Sequence, residues 1–142
     1  MAQPRGHVRV PAELERVAEI RSLVRQVVGD CDGPDRCEDD LVQAVDEAAT
    51  NAIVHGYRGQ PGWLEVTAER VDDRIVVILQ DTAPTFDPAA VPEPDLTVPA
   101  ERRRPGGMGV HLMRLATDSI THAPRPGGGN ILTMTRRLDK SA

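Results

Sequence analysis

Residues 41–57 read LVQAVDEAATNAIVHGY, and the rest of the chain is organised around them. Apolar Leu41, Ala44, Val45, Ala48, Ala52 and Ile53 recur at spacings of three or four, which predicts an amphipathic helix. On a neighbouring face Glu47, Asn51 and His55 fall at i, i+4 and i+8, so their side chains line up in one row. A carboxylate and a carboxamide one turn apart, beside an alanine-rich surface, suit a metal ion and a water. The same row also suits the wet outer face of an ordinary helix. The flanking sequence has to choose between them.

Composition narrows the choice. A chain of 142 residues suits one domain that buries roughly 70% of its unfolded surface, enough for a two-layer core. Its aromatics are Tyr57, Trp63 and Phe86 alone, so aliphatic side chains must build that core. A net charge of −5 argues against a nucleic-acid partner, which calls for a basic surface. Cys31 and Cys37 match no common zinc spacing and are expected as reduced thiols. No apolar run approaches the ~20 residues of a membrane span, and the first residues lack a signal-peptide core. The expectation is a soluble, cytoplasmic domain with no membrane contact.

In chain order, HVRV at 7–10 suits a short edge strand. Pro11 opens a helical pattern with Leu14, Val17, Ala18, Val24, Val27 and Val28 as its apolar stripe, ended by Gly29 and DCDGPD. Asp35 is read as the N-cap of the second helix, with Glu38 three residues on, and Gly56 as its stop after about His55. Residues 62–71 alternate as a half-buried strand, and RIVVILQ at 74–80 suits a central one, with Asp81 at its end. Six prolines between 82 and 105 forbid a helix there and predict a long loop, read as a lid over about 84–105. A short helix at Val110–Thr117 and strands near 119–123 and 131–138 complete the order, the strands joined by the flexible PRPGGGN. This predicts an α+β two-layer sandwich, a mixed and mostly antiparallel sheet with helices on one face.

Three segments carry chemistry. Asn51 offers a hard cation a neutral oxygen, and Glu47 a base for a hydroxyl or water. In DTAPTFDP, 81–88, Asp81 closes a buried strand and can accept a hydrogen bond from an exocyclic amino group; a simple turn with a capping Asp fits as well. In RPGGMGVHLM, 104–113, glycines before a helix expose its first N–H groups to an anion, though a plain loop-to-helix turn looks the same. It is neither a Walker A loop nor a Rossmann fingerprint.

Together, ExxxN on a helix, DxxxxFDP after a strand and GGxG opening a helix beyond a lid resemble the N, G1 and G2 boxes of the GHKL ATPase superfamily. Within it, DEAATNAIVHGY and RPGGMGVHLMRLATDSI are most similar to the anti-sigma-factor serine/threonine kinases, with the resemblance running from about residue 10 to 138. The resemblance implies a Bergerat-type ATPase fold that binds ATP and Mg²⁺. It implies Glu47 as catalytic base toward a substrate serine, Asn51 as Mg²⁺ ligand and Asp81 as the adenine-reading carboxylate. Ala83 then lies in the adenine pocket, and Gly107, Met108, Gly109 and Val110 pass beside the phosphates. Members of the family hold a sigma factor from RNA polymerase and phosphorylate a small STAS-domain antagonist. Homodimerisation is a habit of the family; no interface stripe in this chain speaks for it.

Two positions depart from the pattern. Ala83 stands where the G1 box carries glycine, so its methyl crowds the pocket, or shifts the backbone if φ > 0 is needed there. Gly129-Asn130-Ile131 stands where relatives read Gly-Thr-Thr, so a hydroxyl contact near the adenine is missing or is made by Asn130. A kinase with base Glu47 is therefore one reading, and a sequestering module with weak or absent nucleotide use another. A histidine-kinase catalytic half lacks its phospho-acceptor helix pair here. His55 is expected to support the site, Phe86 to anchor the lid with Asp87 polar at its base, and Trp63 to pack at the sheet edge. Arg102, Arg103 and Arg104 read as a solvated run or a phosphate contact. His7, His111 and His122 read as surface or strand residues without chemistry.

Overall fold

Alternation in the strands decides which face of the sheet is covered. In β2 (Trp63–Val71) the buried positions are Leu64, Val66 and Ala68, and in β3 (Arg74–Asp81) they are Ile75, Val77, Leu79 and Asp81. In β5 (Asn130–Arg137) every second residue from Asn130 is buried. With β1 (Arg5–Pro11) and β4 (Ser119–Pro124) these form one five-stranded sheet in the order β1-β2-β3-β5-β4. The computed structural model describes residues 3–88, 96–99 and 107–138. Among them, α1 (Val17–Asp30), α2 (Asp35–Asn51) and α3 (Gly107–Ala116) supply the layer over the buried face. Ile20 and Val24 of α1, Leu41 and Val45 of α2, and Val110 and Met113 of α3 interdigitate with it. The aliphatic core anticipated from the scarcity of aromatics is what forms. Arg136, 3% exposed at the end of β5, is held there by Asp40 of α2 at 3.0 Å.

Several local expectations change. All four strand pairings are antiparallel, so the described sheet is not mixed. Pro11 ends β1 instead of opening α1, because Ala12 donates its N–H to the Gly62 carbonyl at 2.9 Å and keeps the chain on the sheet edge. A 3₁₀ turn, Leu14–Arg16, comes before α1, and it leaves Leu14 53% exposed. Asp35 is not an N-cap: Pro34 holds that place in an extended conformation, and Asp35 and Glu38 act as first-turn charges on the helix dipole. Gly56 does not stop α2. The helix widens into one π turn, Ala52–Tyr57, which ends where Arg58 turns left-handed at φ 53°. The α3 glycines lie inside the helix and not ahead of it, since α3 begins at Gly107.

Candidate functional site

The π turn, the end of β3 and the start of β5 meet at one edge of the two-layer core. A cavity of about 340 Å³ opens there. Asn51, His55 and Gly56 of the α2 end line one wall and Asp81, Ala83 and Phe86 another, with Met113, His122, Asn130 and Leu132 among the remaining lining residues. Single-turn π segments in helices often mark such sites, because the extra residue redirects side chains that a 3.6 period would otherwise stack. Here the turn ends the regular row of Glu47 and Asn51, so His55 reaches the cavity wall from an exposed position.

Asn51 and Asp81 line one cavity, and Glu47 adjoins it through α3. A Cβ placed on Gly109 would stand 2.9 Å from Glu47 Oε2 and 3.4 Å from Asn51 Nδ2. The first turn of α3 therefore presses its bare backbone onto both side chains. Gly107 and Met108 form the opening residues of that turn. Val110 is wholly buried, so its side chain anchors α3 in the core and does not line the cavity. Arg102, Arg103 and Arg104 lie outside the described residues, as does most of the lid expected at 84–105.

The electrostatics of the two carboxylates differ. No described residue hydrogen-bonds Glu47, and burial, with a smaller push from Asp46, holds its carboxyl above the ordinary range. Burial also raises Asp81, but hydrogen bonds from Asn130 and the Ala83 N–H, with the nearby charges of His122 and Arg125, pull it part of the way back. Asn51 carries the one buried side-chain polar atom among the described residues with no partner, its Nδ2. Buried amides are nearly always paired, and which amide atom points where is an assignment, so either end of Asn51 is available to a ligand. That orphaned carboxamide, beside Glu47 and the open backbone of α3, fits a hydrated hard cation bridging to anionic oxygens. No group of three or more His, Cys, Asp and Glu among the described residues forms a metal cage.

Both departures have a structural answer. Ala83 is not among the positive-φ residues, so its backbone is unstrained. Its methyl faces Gly56, where an added Cβ would come within 2.9 Å of it. Glycine in the π turn makes the room that alanine takes. Asn130 makes no free contact toward the cavity: its amide nitrogen donates to Asp81 Oδ1 at 2.8 Å, and its oxygen accepts the Phe86 N–H at 2.8 Å. Phe86 is thus tied by its backbone and, 48% exposed as a residue, does not anchor the loop by packing. Gly129, at φ +117°, lets the hairpin cross so close to β3 that any Cβ would overlap the Asp81 carbonyl oxygen.

Two participants were missed in the sequence. The Tyr57 hydroxyl donates to the Trp63 carbonyl at 2.7 Å and accepts the Thr82 N–H at 2.8 Å, clamping the π turn to the strand end. His122, read as a strand residue without chemistry, lines the cavity and bonds Asn130 at 2.8 Å. The alternation of Ile120 and His122 in β4 was the available signal, since it turns both toward the helices. Trp63 sits one strand in from the edge with the Arg9 guanidinium 4.2 Å from its ring centre.

The histidine kinase-like ATPase domain family matches residues 10–136. A Staphylococcus aureus protein named serine-protein kinase RsbW is 28% identical over 139 residues, covering 94% of this chain and 86% of the relative. A Caldanaerobacter subterraneus anti-sigma F factor is 28% identical over 103 residues, 72% of this chain and 71% of its own. The crystal structure of the RsbU and RsbW domains of a Mycobacterium tuberculosis protein superposes with a TM-score of 0.70 at 19% identity; it covers 98% of this chain, which spans 34% of that one. Among the described residues no helix is long and apolar enough to cross a membrane. With most of its length matched, the chain belongs to the histidine kinase-like ATPase domain family.

Proposed function

We propose that this protein, acting in the cytoplasm as one domain over residues 1–142, is an ATP-dependent serine/threonine kinase and anti-sigma factor. It sequesters a sigma factor and phosphorylates a STAS-domain antagonist. The observation that carries the reading is the packing of the α3 glycine turn on Glu47 and on Asn51, whose carboxylate and Nδ2 no described residue hydrogen-bonds, next to the cavity that Asp81 lines. The names of the relatives support it.

The roles follow from the chemistry of each group. Asp81 accepts from the exocyclic amine of adenine. Asn51 would hold Mg²⁺, which supplies charge neutralisation for the phosphate oxygens when bound. The backbone of Gly107, Met108, Gly109 and Val110, at a helix N-terminus, favours the phosphate chain. Glu47, which no described residue hydrogen-bonds and whose carboxyl burial holds above its ordinary value, takes the proton of the acceptor serine hydroxyl. Position and electrostatics supply most of the acceleration in such transfers.

The test is a titration of Mg-ATP into the protein and into Asn51→Ala, together with transfer of label from [γ-³²P]ATP to a STAS-domain protein of the same genome. Saturable binding lost in Asn51→Ala, with serine label lost in Glu47→Ala, supports the kinase. Binding absent up to millimolar ATP would overturn it, and leave a module that sequesters its partner without nucleotide.

A further inference from the structure

We propose that Asn130 and His122 are positioning residues: they lock the Asp81 carboxylate in one orientation and so set which purine the cavity accepts. This rests on the reading that the cavity takes an adenine nucleotide, and extends it to residues that do not touch the base.

Asn130 opens β5 directly across from Asp81 in the strand register and is buried. Its Nδ2 donates to Asp81 Oδ1 at 2.8 Å and to the carbonyls of Pro84 and Ala83 at 3.2 and 3.3 Å. Its Oδ1 accepts from the Phe86 N–H and meets His122 Nε2, each at 2.8 Å. The amide orientation is not in doubt chemically. A carboxylate and two carbonyls can only accept, and a backbone N–H can only donate, so a flipped amide would lose the bonds to Asp81, Ala83, Pro84 and Phe86.

That assignment fixes the histidine. With Asn130 Oδ1 as an acceptor, His122 Nε2 must carry the hydrogen, and Nδ1 is the bare nitrogen of the neutral ring. It also fixes the carboxylate. Asp81 Oδ1 is taken by Asn130 and by the Ala83 N–H at 3.0 Å, so Oδ2 is the oxygen left for a ligand. A carboxylate oxygen held still accepts from a 6-amino purine and meets the 6-oxo group of hypoxanthine acceptor to acceptor. Discrimination then depends on Asp81 being unable to turn, and the chain His122–Asn130–Asp81 is what prevents it. The same amide ties down Ala83, Pro84 and Phe86, so one residue sets both the carboxylate and the loop that follows it.

Two measurements test this. At about pH 8, above the ordinary imidazole range, long-range ¹H–¹⁵N spectra of the wild-type protein should show His122 as the Nε2–H tautomer; the Nδ1–H tautomer overturns the proposal. Calorimetric titration with Mg-ADP and Mg-IDP should show wild-type preference for ADP. Asn130→Ala and His122→Leu should lose about tenfold or more in ADP affinity while IDP changes by less than about threefold, since an unpaired polar group costs the matched ligand more than the unmatched one. His122→Gln, whose amide can donate where Nε2–H did, should restore the preference. Equal losses for both nucleotides would mean mere structural support and sink the proposal. Should Asn130→Ala not fold, His122→Leu and the tautomer decide alone. Wild-type protein that binds neither nucleotide overturns the adenine reading and this one with it; wild-type preference retained in folded variants overturns only this one.

Discussion

Gly109→Ala separates stability from function at this site. Gly109 is in the first turn of α3, and an added Cβ would lie 2.9 Å from Glu47 Oε2 and 3.4 and 3.5 Å from the two polar atoms of the Asn51 amide. A contact below 3.0 Å forces something to move. Glu47 is the softer partner, because its carboxylate ends a flexible side chain and no described residue hydrogen-bonds it. Turning it part-way off its rotamer costs about 0.5–1.5 kcal/mol. Replacing glycine in a helix, where φ is compatible, returns about 0.4–1 kcal/mol through the unfolded chain. The two nearly cancel, so stability should change by less than about 1 kcal/mol, a Tm shift within roughly 4 °C for a domain of this size. The proposed chemistry has no such tolerance: displacing the base by about 1 Å costs on the order of 100-fold in transfer rate. Scanning calorimetry paired with a phosphotransfer assay on a STAS-domain substrate reads both. Transfer within about threefold of wild type at unchanged Tm would refute the argument that Glu47 acts from this position. A much larger fall in Tm would show instead that α3, not Glu47, is what yields.

Glu47→Gln should stabilise the protein at pH 7, and the gain should vanish by about pH 4, as followed by urea unfolding at each pH. The sign follows from the raised folded-state value: the protonated carboxyl's stability is complete below the unfolded value and is lost as pH rises through the folded one. Tyr57→Phe removes the hydroxyl that pairs the Trp63 carbonyl and the Thr82 N–H, and should cost about 2 kcal/mol in the same assay while weakening Mg-ATP binding. A change under about 0.5 kcal/mol would mean that water replaces the hydroxyl without loss. Asp40→Ala strands the buried Arg136 guanidinium and should cost about 2 kcal/mol, less than for a fully buried pair because Asp40 is partly exposed. Arg136→Met, which removes the charge itself, should cost less; the reverse ranking counts against the desolvation argument.

The fold was legible because its signals are periodic. The alternation of 62–71, the β-branched run RIVVILQ and the stripes of the two long helices each describe a surface that must be buried, and burial follows whatever the turns do in detail. The misreadings cluster where one residue's local preference met a tertiary demand. Pro11 could open a helix, but the edge hydrogen bond from Ala12 claims that segment for the sheet. Glycine ordinarily ends a helix, yet Gly56 sits inside one because Ala83 needs the volume, and Gly107 and Gly109 sit inside another whose first turn must approach Glu47 and Asn51. Around the cavity, spacing put Glu47 and Asn51 in one row of α2, but only the resemblance of the three boxes joined Asp81 to them. Tyr57 left no such signal, because its hydroxyl reaches Thr82 across the sheet end; for His122 the strand alternation gave its face but not its partner Asn130, which the β4–β5 pairing supplies.

The departures from the family pattern also explain one another. A methyl at 83 and a carboxamide at 130 look, taken singly, like two losses of nucleotide-binding capacity. In the folded chain the methyl is accommodated by Gly56 without a strained φ, and the carboxamide saturates the oxygen of Asp81 that faces the loop. Gly129, at φ +117°, brings β5 close enough to β3 for that bond. Alanine at 83 adds no polar group, and the Asn130 amide spends its hydrogen bonds on Asp81, Ala83, Pro84, Phe86 and His122. The pocket wall is therefore stiffer than one built from a glycine and a rotatable hydroxyl. Stiffness of that kind lowers the entropy a ligand must surrender on binding and raises the penalty for a ligand of the wrong donor pattern. On the proposed reading, one side of the cavity holds its recognition carboxylate, Asp81, through Asn130, and the other side, at Glu47 and Asn51 Nδ2, has polar atoms that no described residue hydrogen-bonds.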